Sequence, residues 1–474
     1  MDANSTDLIR ASSEPVSQIA LPNATFRLKM VNPDAVQGEA VRWAVYNPYQ
    51  SKLCWEDTGK SLMSEFSKNT ETTFSFTPVS PATPARKSRA LKLVKIQVGF
   101  GCNYSCGYCS QKSFEPTSSV TSEGDLTNLI QAFMEKYDGG EDGKGLGTRV
   151  DFIGGETLLY WKKVKFLARE LKSRYPKIKF SLYTNGSVII EDLAELAQEL
   201  DLLVMLSHDG TDQKINRGKD PFERESNRNF LRQLAARLIP RNLFLVQMTL
   251  GKTNFNLGQN RELLSRQLDQ PFHQLPLAYD IVHAFEKNSK TLIPESDAEI
   301  SAFQGKVLSE FKKLSWAQML AFAGFRMDLG AFLDPLVGRM SMSECHQRCE
   351  MDKTSSIAFD LQGNVLTCQN TTSRSGHKIG HLLNFDEILL NTSTHWSTRK
   401  NCRRCPVVPM CRGACMYTKD QEFQRTCDSM FSYYLSVLAY SLENLVGWRV
   451  IEIRGDNIRD RGVHTISICE EINA

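Results

Sequence analysis

The sequence predicts an α/β fold in which six βα units build a parallel sheet, with a small β-rich domain before it and a cysteine-rich domain after it. Three observations lead there. From about residue 91 to 290, strand-like and amphipathic helix-like segments alternate, the order that parallel sheets require. Before residue 77 the apolar residues recur with period two. From residue 345 onward lie nine of the chain's thirteen cysteines.

The strand candidates of the central unit are 92–98, 149–153, 179–184, 202–207, 243–250 and 279–283. The helical stretches between them lie near 124–137, 160–174, 190–200, 222–238 and 257–269. Ahead of them, Thr25–Val31, Val41–Tyr46 and Thr72–Phe76 alternate as strands of a domain spanning 1–77. That domain reads either as a peptide-binding module, since sheet edges accept an added strand, or as a plain structural extension. Residues 78–90, rich in Pro and small polar residues, read as a linker. Residues 291–340 form a helical bridge, with Met319, Leu320, Phe322, Phe325, Met327 and Leu329 expected in its core. The cysteine-rich domain covers 341–430, and 431–474 holds an apolar helix beginning near Met430 and a strand over Trp448–Ile453.

At 474 residues, two or three domains are expected. The 57 basic and 54 acidic residues leave a net charge of +3 without a basic stripe, which argues against a nucleic-acid partner. No stretch reaches the apolar length of a membrane span, and the first residues lack the basic-then-apolar order of a signal peptide. A cytoplasmic protein is expected, where disulfides do not persist and many cysteines mean metal or redox work. Cys54 and Cys469 stand outside the cysteine patterns and are expected to be unligated.

The chain is organised around Gly99-Phe100-Gly101-Cys102-Asn103-Tyr104-Ser105-Cys106-Gly107-Tyr108-Cys109, directly after the first strand. A loop leaving a strand end can curl three thiols around one centre, as iron–sulfur ligation requires. A four-iron cluster held by three thiolates keeps one iron open for chemistry. The alternative, a zinc knuckle, wants a fourth ligand close by, and the next histidine is far downstream at His208.

The C-x3-C-x2-C spacing of Cys102, Cys106 and Cys109 resembles the signature of the radical S-adenosylmethionine (radical SAM) family. The resemblance implies a partial (β/α)6 TIM barrel, with the chemistry at the C-terminal ends of its strands. It also implies cleavage of S-adenosylmethionine at a [4Fe-4S] cluster held by the three cysteines. Tyr108 matches the aromatic position that contacts adenine. Gly154-Gly155-Glu156, at the end of the second strand, resembles the motif that binds the cofactor's amino group, with Thr157 where Pro is usual. Thr184-Asn185-Gly186 at the third strand end, and Ser207-His208-Asp209-Gly210 followed by Arg217 at the fourth, resemble further cofactor motifs. They imply contacts from Asn185, and from Ser207 and Arg217 to ribose and carboxylate. His208 and Asp209 are the candidates for acid–base work, with a packed, hydrogen-bonded histidine as the alternative.

Further on, Cys349-x13-Gly363-x4-Cys368, Cys402-x2-Cys405-x5-Cys411-x3-Cys415 and Cys427 resemble the seven-cysteine SPASM pattern, with Cys345 as an extra upstream thiol. Carried over, the family's ligation gives an inner cluster on Cys345, Cys349, Cys368 and Cys415. It gives an outer one on Cys402, Cys405, Cys411 and Cys427. With the radical SAM centre, three [4Fe-4S] clusters are implied; structural zinc is the alternative, since C-x2-C pairs suit it.

SPASM-bearing members of the family largely modify peptides and proteins. The expected function is a peptide maturase that takes hydrogen from a ribosomally made precursor and installs a crosslink, a C–C cyclophane or a thioether, by net two-electron oxidation. The expected partners are the precursor peptide and a reductant such as flavodoxin or ferredoxin. One alternative is formylglycine formation in sulfatases. Those relatives carry Asp after the Cys that here is Cys368, and this chain has Gln369 there. Another alternative is a non-enzymatic peptide-binding partner with structural clusters.

Overall fold

The computed structural model describes residues 19–20, 23–34, 41–63, 75–76, 78–112, 114, 122–285, 292–374 and 376–468. Its central element is a nine-stranded sheet. Six parallel strands come first: Leu93–Gly99, Arg149–Gly154, Lys179–Thr184, Leu202–Ser207, Phe244–Leu250 and Leu277–Ile281. They pair in sequence order, the pattern of successive βα units. The helices fall close to the expected stretches: Glu123–Lys136, Trp161–Arg174, Leu193–Leu200, Glu225–Leu238 and Leu257–Leu268. The last strand lies two residues earlier than the sequence reading placed it.

Alternation on these strands divides two environments. Val94, Ile96 and Val98 are at most 2% exposed in the main core. Lys95 and Gln97, between them, face the other side, where register places them beside Asp151 and Ile153, then Ser181 and Tyr183. Helices cover the apolar face. On Glu123–Lys136, Leu126, Leu129, Ile130 and Phe133 follow the i, i+3, i+4, i+7 spacing of one buried stripe, each large side chain contributing about 2 kcal/mol by burial. Ser122 and Asp125 close a capping box at its start.

The sheet does not end with these six strands. Ser356–Asp360, from the cysteine-rich region, runs parallel to Leu93–Gly99, and a hairpin and third strand continue outward over Asn364–Leu366 and Lys378–His381. Gly363 makes the hairpin turn at φ +81°, a conformation suited to glycine. The cysteine-rich region is thus an extension of the parallel sheet.

The expected separation of the chain's two flanks is corrected as well. Phe26–Val31, Val41–Asn47 and Lys52–Trp55 join Arg449–Ile458 and Val463–Ser467 in one five-stranded antiparallel sheet. Met30 pairs with Val450, Leu28 with Ile453 and Phe26 with Gly455. Ser75–Phe76 pairs with Ile19–Ala20, while 72–74 lie outside the described residues, as does Cys469. Nor is 78–90 a free linker. Ala85–Arg86 pairs with Leu389–Leu390, and the buried Lys87 donates to the carbonyls of Met351 (2.7 Å) and Lys353 (2.9 Å). Burial brings the Lys87 pKa down to about 8.

The bridge is helical over Asp297–Lys313, Trp316–Leu320 and Ala323–Leu336. Met319, Phe322, Phe325 and Leu329 are buried and Leu320 partly so, but Met327 is 63% exposed and not a core residue. The apolar tail helix begins earlier than expected, spanning Asp420–Val446, with every residue from Ser429 to Leu442 buried. A helix buried all round lies inside the molecule. Tyr433 on this helix donates to Asp328 Oδ2 (2.5 Å), locking it to the bridge.

His395 caps the short helix Trp396–Thr398, its Nδ1 accepting from the Ser397 N–H (3.2 Å). Burial pulls its pKa from 6.5 down to about 4. Between those values the unfolded chain binds more protons than the folded one, so stability is lost as pH falls from about 6.5 to about 4. The expected loss is about 2–3 kcal/mol. Thermal unfolding of wild type and His395→Asn across that window checks it; the variant keeps a capping side chain and should lose that part of the acid sensitivity.

Candidate active site

The cysteine loop emerges from the first strand and is clasped by the loops after the second, third and fourth. Gly155 N–H donates to Gly99 O and Glu156 N–H to Gly101 O, both at 2.9 Å. A Cβ on Gly155 would lie 2.3 Å from Gly101 O, and one on Gly154 2.4 Å from Gly99 O. These glycines let two backbones abut. Tyr160 OH accepts from Gly101 N–H (2.7 Å), and its ring occupies the space beside Gly99.

Glu156 is 1% exposed. Its Oε1 accepts from Leu158 N–H (3.0 Å) and Thr184 Oγ1 (2.7 Å), and Oε2 from Asn185 N–H (2.7 Å). Burial raises its pKa, with these three bonds opposing. The carboxylate ties the second strand end to the third. Asn185 in turn donates to Asn103 Oδ1 (2.9 Å), inside the cysteine loop.

From the fourth strand, past Ser207, Asp209 is fully buried. It accepts from Tyr108 OH (2.7 Å), Arg217 Nη2 (2.9 Å) and Thr249 N–H (3.1 Å). The Arg217 guanidinium lies 5.5 Å from the Tyr108 ring centroid. Asp209 therefore positions Tyr108 and Arg217 rather than acting as a free acid or base. His208 is likewise fully buried, Nδ1 accepting from Gly210 N–H (3.0 Å) and Nε2 facing Asp220 Oδ1 (3.4 Å). Of its two readings, the packed histidine is the one this geometry matches.

Burial pushes the Cys106 thiol up to about 12, with Cys109 and Cys102 adding to it and Arg217 opposing. Beside it, Arg217 Nε and both amide atoms of Asn216 are buried without a hydrogen-bond partner among the described residues. Crowded thiols and unused polar atoms together suit a metal cluster and a polar cofactor at this loop.

Residues 96–253 match the radical SAM superfamily. The chain carries a radical SAM domain over that stretch. Such a domain implies S-adenosylmethionine and a [4Fe-4S] cluster as cofactors. Among curated relatives, the radical SAM cyclopropyl synthase TigE of Paramaledivibacter caminithermalis is 18% identical over 70% of this chain and 69% of its own length. Two shorter matches are each 30% identical. The S-adenosylmethionine-dependent nucleotide dehydratase of Psychrobacter lutiphocae aligns over 26% of this chain and 42% of its own. The cysteine-type anaerobic sulfatase-maturating enzyme of Clostridium perfringens aligns over 25% of this chain and 33% of its own. The solved structure of anSMEcpe with bound AdoMet and the Cp18Cys peptide superposes with a TM-score of 0.51 at 19% identity, covering 74% of this chain and 97% of that one. The radical SAM fold is shared over that span.

Two further cysteine groups lie in the region after the barrel of this radical SAM chain. Cys402, Cys405, Cys411 and Cys427 border one void, walled by Val407, Val408, Phe423 and Phe431. Burial and then Cys427 drive the Cys411 thiol up to about 12. Cys349, Cys368 and Cys415 form the other group; burial and then mutual repulsion raise Cys368. Cys345 does not turn to them. Its Sγ lies 3.6 Å from Met340 Sδ, 3.6 Å from Ser341 O and 3.7 Å from Met342 Sδ, and the charges acting on it are Arg412, Glu344, Asp334 and Lys353. These contacts differ from those of the three thiols that Cys345 is expected to join. Among the described residues no three His, Cys, Asp or Glu side chains converge on a point that would hold a single ion.

The sequence reading missed the polar lining of the barrel interior. Lys95 acts on Cys349 and Cys368, Gln97 Nε2 donates to Gln369 O (3.0 Å) and Thr371 O (3.2 Å), and Gln247 Nε2 to Asp280 Oδ2 (3.2 Å). The signal was there: Lys95, Gln97, Asp151, Ser181, Gln247 and Asp280 are polar residues at alternate positions of otherwise apolar strands.

Proposed function

We propose that this radical SAM enzyme modifies a ribosomally made precursor peptide, removing two hydrogens and joining two of its side chains. The observation that carries this is the pairing of Ser356–Asp360 with the first barrel strand. Ala358 stands opposite Lys95 and Asp360 opposite Gln97, so the three-thiol inner group is built onto the wall of the barrel interior. Two auxiliary clusters in the cysteine groups would take up the electron that such an oxidation releases. The four thiols ringing a void would suit a multi-iron centre, and the inner group would hold a second. The peptide-bound anSMEcpe structure agrees with a peptide substrate.

Held at this site, the cofactor and its cluster would supply the chemistry of hydrogen-atom abstraction, which takes one hydrogen from the substrate. The second hydrogen leaves the substrate as a proton and an electron. Cys102, Cys106 and Cys109 hold the cluster in this reading. Tyr108, Gly154, Gly155, Glu156, Asn185, Ser207 and Arg217 line the cofactor side, Arg217 and Tyr108 oriented by Asp209. Asp280, exposed on the inward face of the sixth strand, is placed to take the proton. A flavodoxin- or ferredoxin-type reductant and a cytoplasmic setting go with this chemistry. Among the described residues no helix is long and apolar enough to cross a membrane.

A second reading, formylglycine formation, has the Clostridium relative behind it, but Gln369 is no base: its carbonyl Oε1 is buried without a partner among the described residues. Mass spectrometry of a peptide encoded beside the gene and co-expressed with the enzyme separates the two. Loss of two hydrogens per site, without change in thiol alkylation for a cyclophane, is the expected result. An unchanged peptide alongside continuing 5′-deoxyadenosine release would overturn the substrate assignment, and an aldehyde in a sulfatase peptide would establish the second reading.

A further inference from the structure

Two buried arginines flank the outer cysteine group. Arg399, in the turn before Cys402, donates from Nη1 to Thr418 O (3.1 Å) and from Nη2 to Cys415 O (2.7 Å). Its guanidinium lies 4.1 Å from the centroid of the Phe423 ring. Arg459, in the turn after Arg449–Ile458, pairs with Asp428 and lies 4.3 Å over Phe431. They are 8% and 7% exposed. Phe423, Cys427 and Phe431 succeed one another at four-residue steps on the Asp420–Val446 helix, hence on one face, and both rings wall the void that the four outer thiols border. A cation therefore backs each end of that wall. Arg399 acts with Cys402, Cys415, Cys427 and Cys411; Arg459 acts with Cys427 and Cys405.

In both residues the Nε–H is buried and has no partner among the described residues. An unused donor on a buried cation is costly and calls for an acceptor. The ionisable groups acting on both arginines are mainly the cluster-forming cysteines themselves.

We propose that Arg399 and Arg459 raise the reduction potential of the outer auxiliary cluster, each holding its charge behind the aromatic wall of the void that the outer thiols border. This rests on the auxiliary-cluster reading given above. Cluster potential is set by net charge and by hydrogen bonds to sulfur. Reduction adds one electron to the centre, and a fixed cation beside it favours the more negative state. The two arginines differ in reach: Arg399 touches Cys415 of the inner group and acts on both centres, whereas Arg459 acts on the outer one alone.

The test uses the full chain with Cys102, Cys106 and Cys109 all replaced by alanine, reconstituted with iron and sulfide, so that only auxiliary signals remain. Iron content and a redox titration followed by electron paramagnetic resonance are measured for this protein and for added Arg399→Gln, Arg459→Gln and the two Lys variants. Each Gln variant should weaken reduction about tenfold or more, a fall in midpoint of about 59 mV for one electron, with smaller falls for Lys. Arg459→Gln should move one signal and Arg399→Gln both. Midpoints unmoved in proteins that keep their iron would overturn the proposal and leave the clusters standing. Iron lost from both Gln and Lys variants would show a purely structural role and overturn it too. No iron in the triple-cysteine background would instead remove the auxiliary-cluster reading, and the proposal with it.

Discussion

Replacing any one of Cys102, Cys106 or Cys109 by alanine is expected to stop S-adenosylmethionine cleavage, lowering 5′-deoxyadenosine formation by more than about a thousandfold. Groups that act as a unit fail as a unit, so each single variant should match the triple one. The fold should survive. Cys102 is exposed and the other two are partly buried, but all three lie outside the main core, so their loss leaves that core intact. Chromatographic assay of the reduced enzyme, with circular dichroism as the control, measures both. Cleavage retained by one single variant would exclude that cysteine as a ligand.

Gly155→Ala is expected to be nearly as severe by a different route. The added methyl would meet Gly101 O at 2.3 Å and Phe100 O at 2.5 Å, backbone atoms that cannot swing aside. Separating the loops sacrifices the Gly155–Gly99 and Glu156–Gly101 hydrogen bonds and disturbs packing, a combined cost of about 3–4 kcal/mol. It also moves the cysteine loop relative to Glu156, and a displacement near 1 Å can cost about a hundredfold in rate. Gly305→Ala is the control: nothing lies within 4 Å of that position, and in the Asp297–Lys313 helix alanine should stabilise by up to about 1 kcal/mol. Equal unfolding midpoints for Gly155→Ala and wild type would show that the loops do not depend on this contact.

The parallel strands and their helices were legible because each is a local pattern of period two or 3.6. The cysteine loop was legible because its spacing is local too. What escaped depends on distant partners. Nothing near Met30 announces Val450, and nothing in residues 78–90 shows that Lys87 will bury its amine against Met351 and Lys353. The roles of Asp209 and Glu156 were open for the same reason: an acidic residue at a strand end reads as a ligand until Arg217, Thr184 and Asn185 are seen to engage it. Cys345 sits four residues from Cys349, yet Met340 and Met342 draw its sulfur elsewhere, and spacing does not encode that direction.

The five-stranded sheet has a consequence for the order of assembly. Tyr49 OH donates to Cys402 O (2.5 Å) and accepts from Cys405 N–H (3.3 Å), so the early strands brace the outer cysteine turn. Arg459 comes from the turn that follows their last-made partner strand. On a ribosome adding about 5–20 residues per second, the strand Phe26–Val31 waits tens of seconds before Arg449–Ile458 exists to cover its edge. The strand leading to Arg459 is among the last parts of the chain to be made, so the outer cysteine turn is closed only when the two ends of the chain meet.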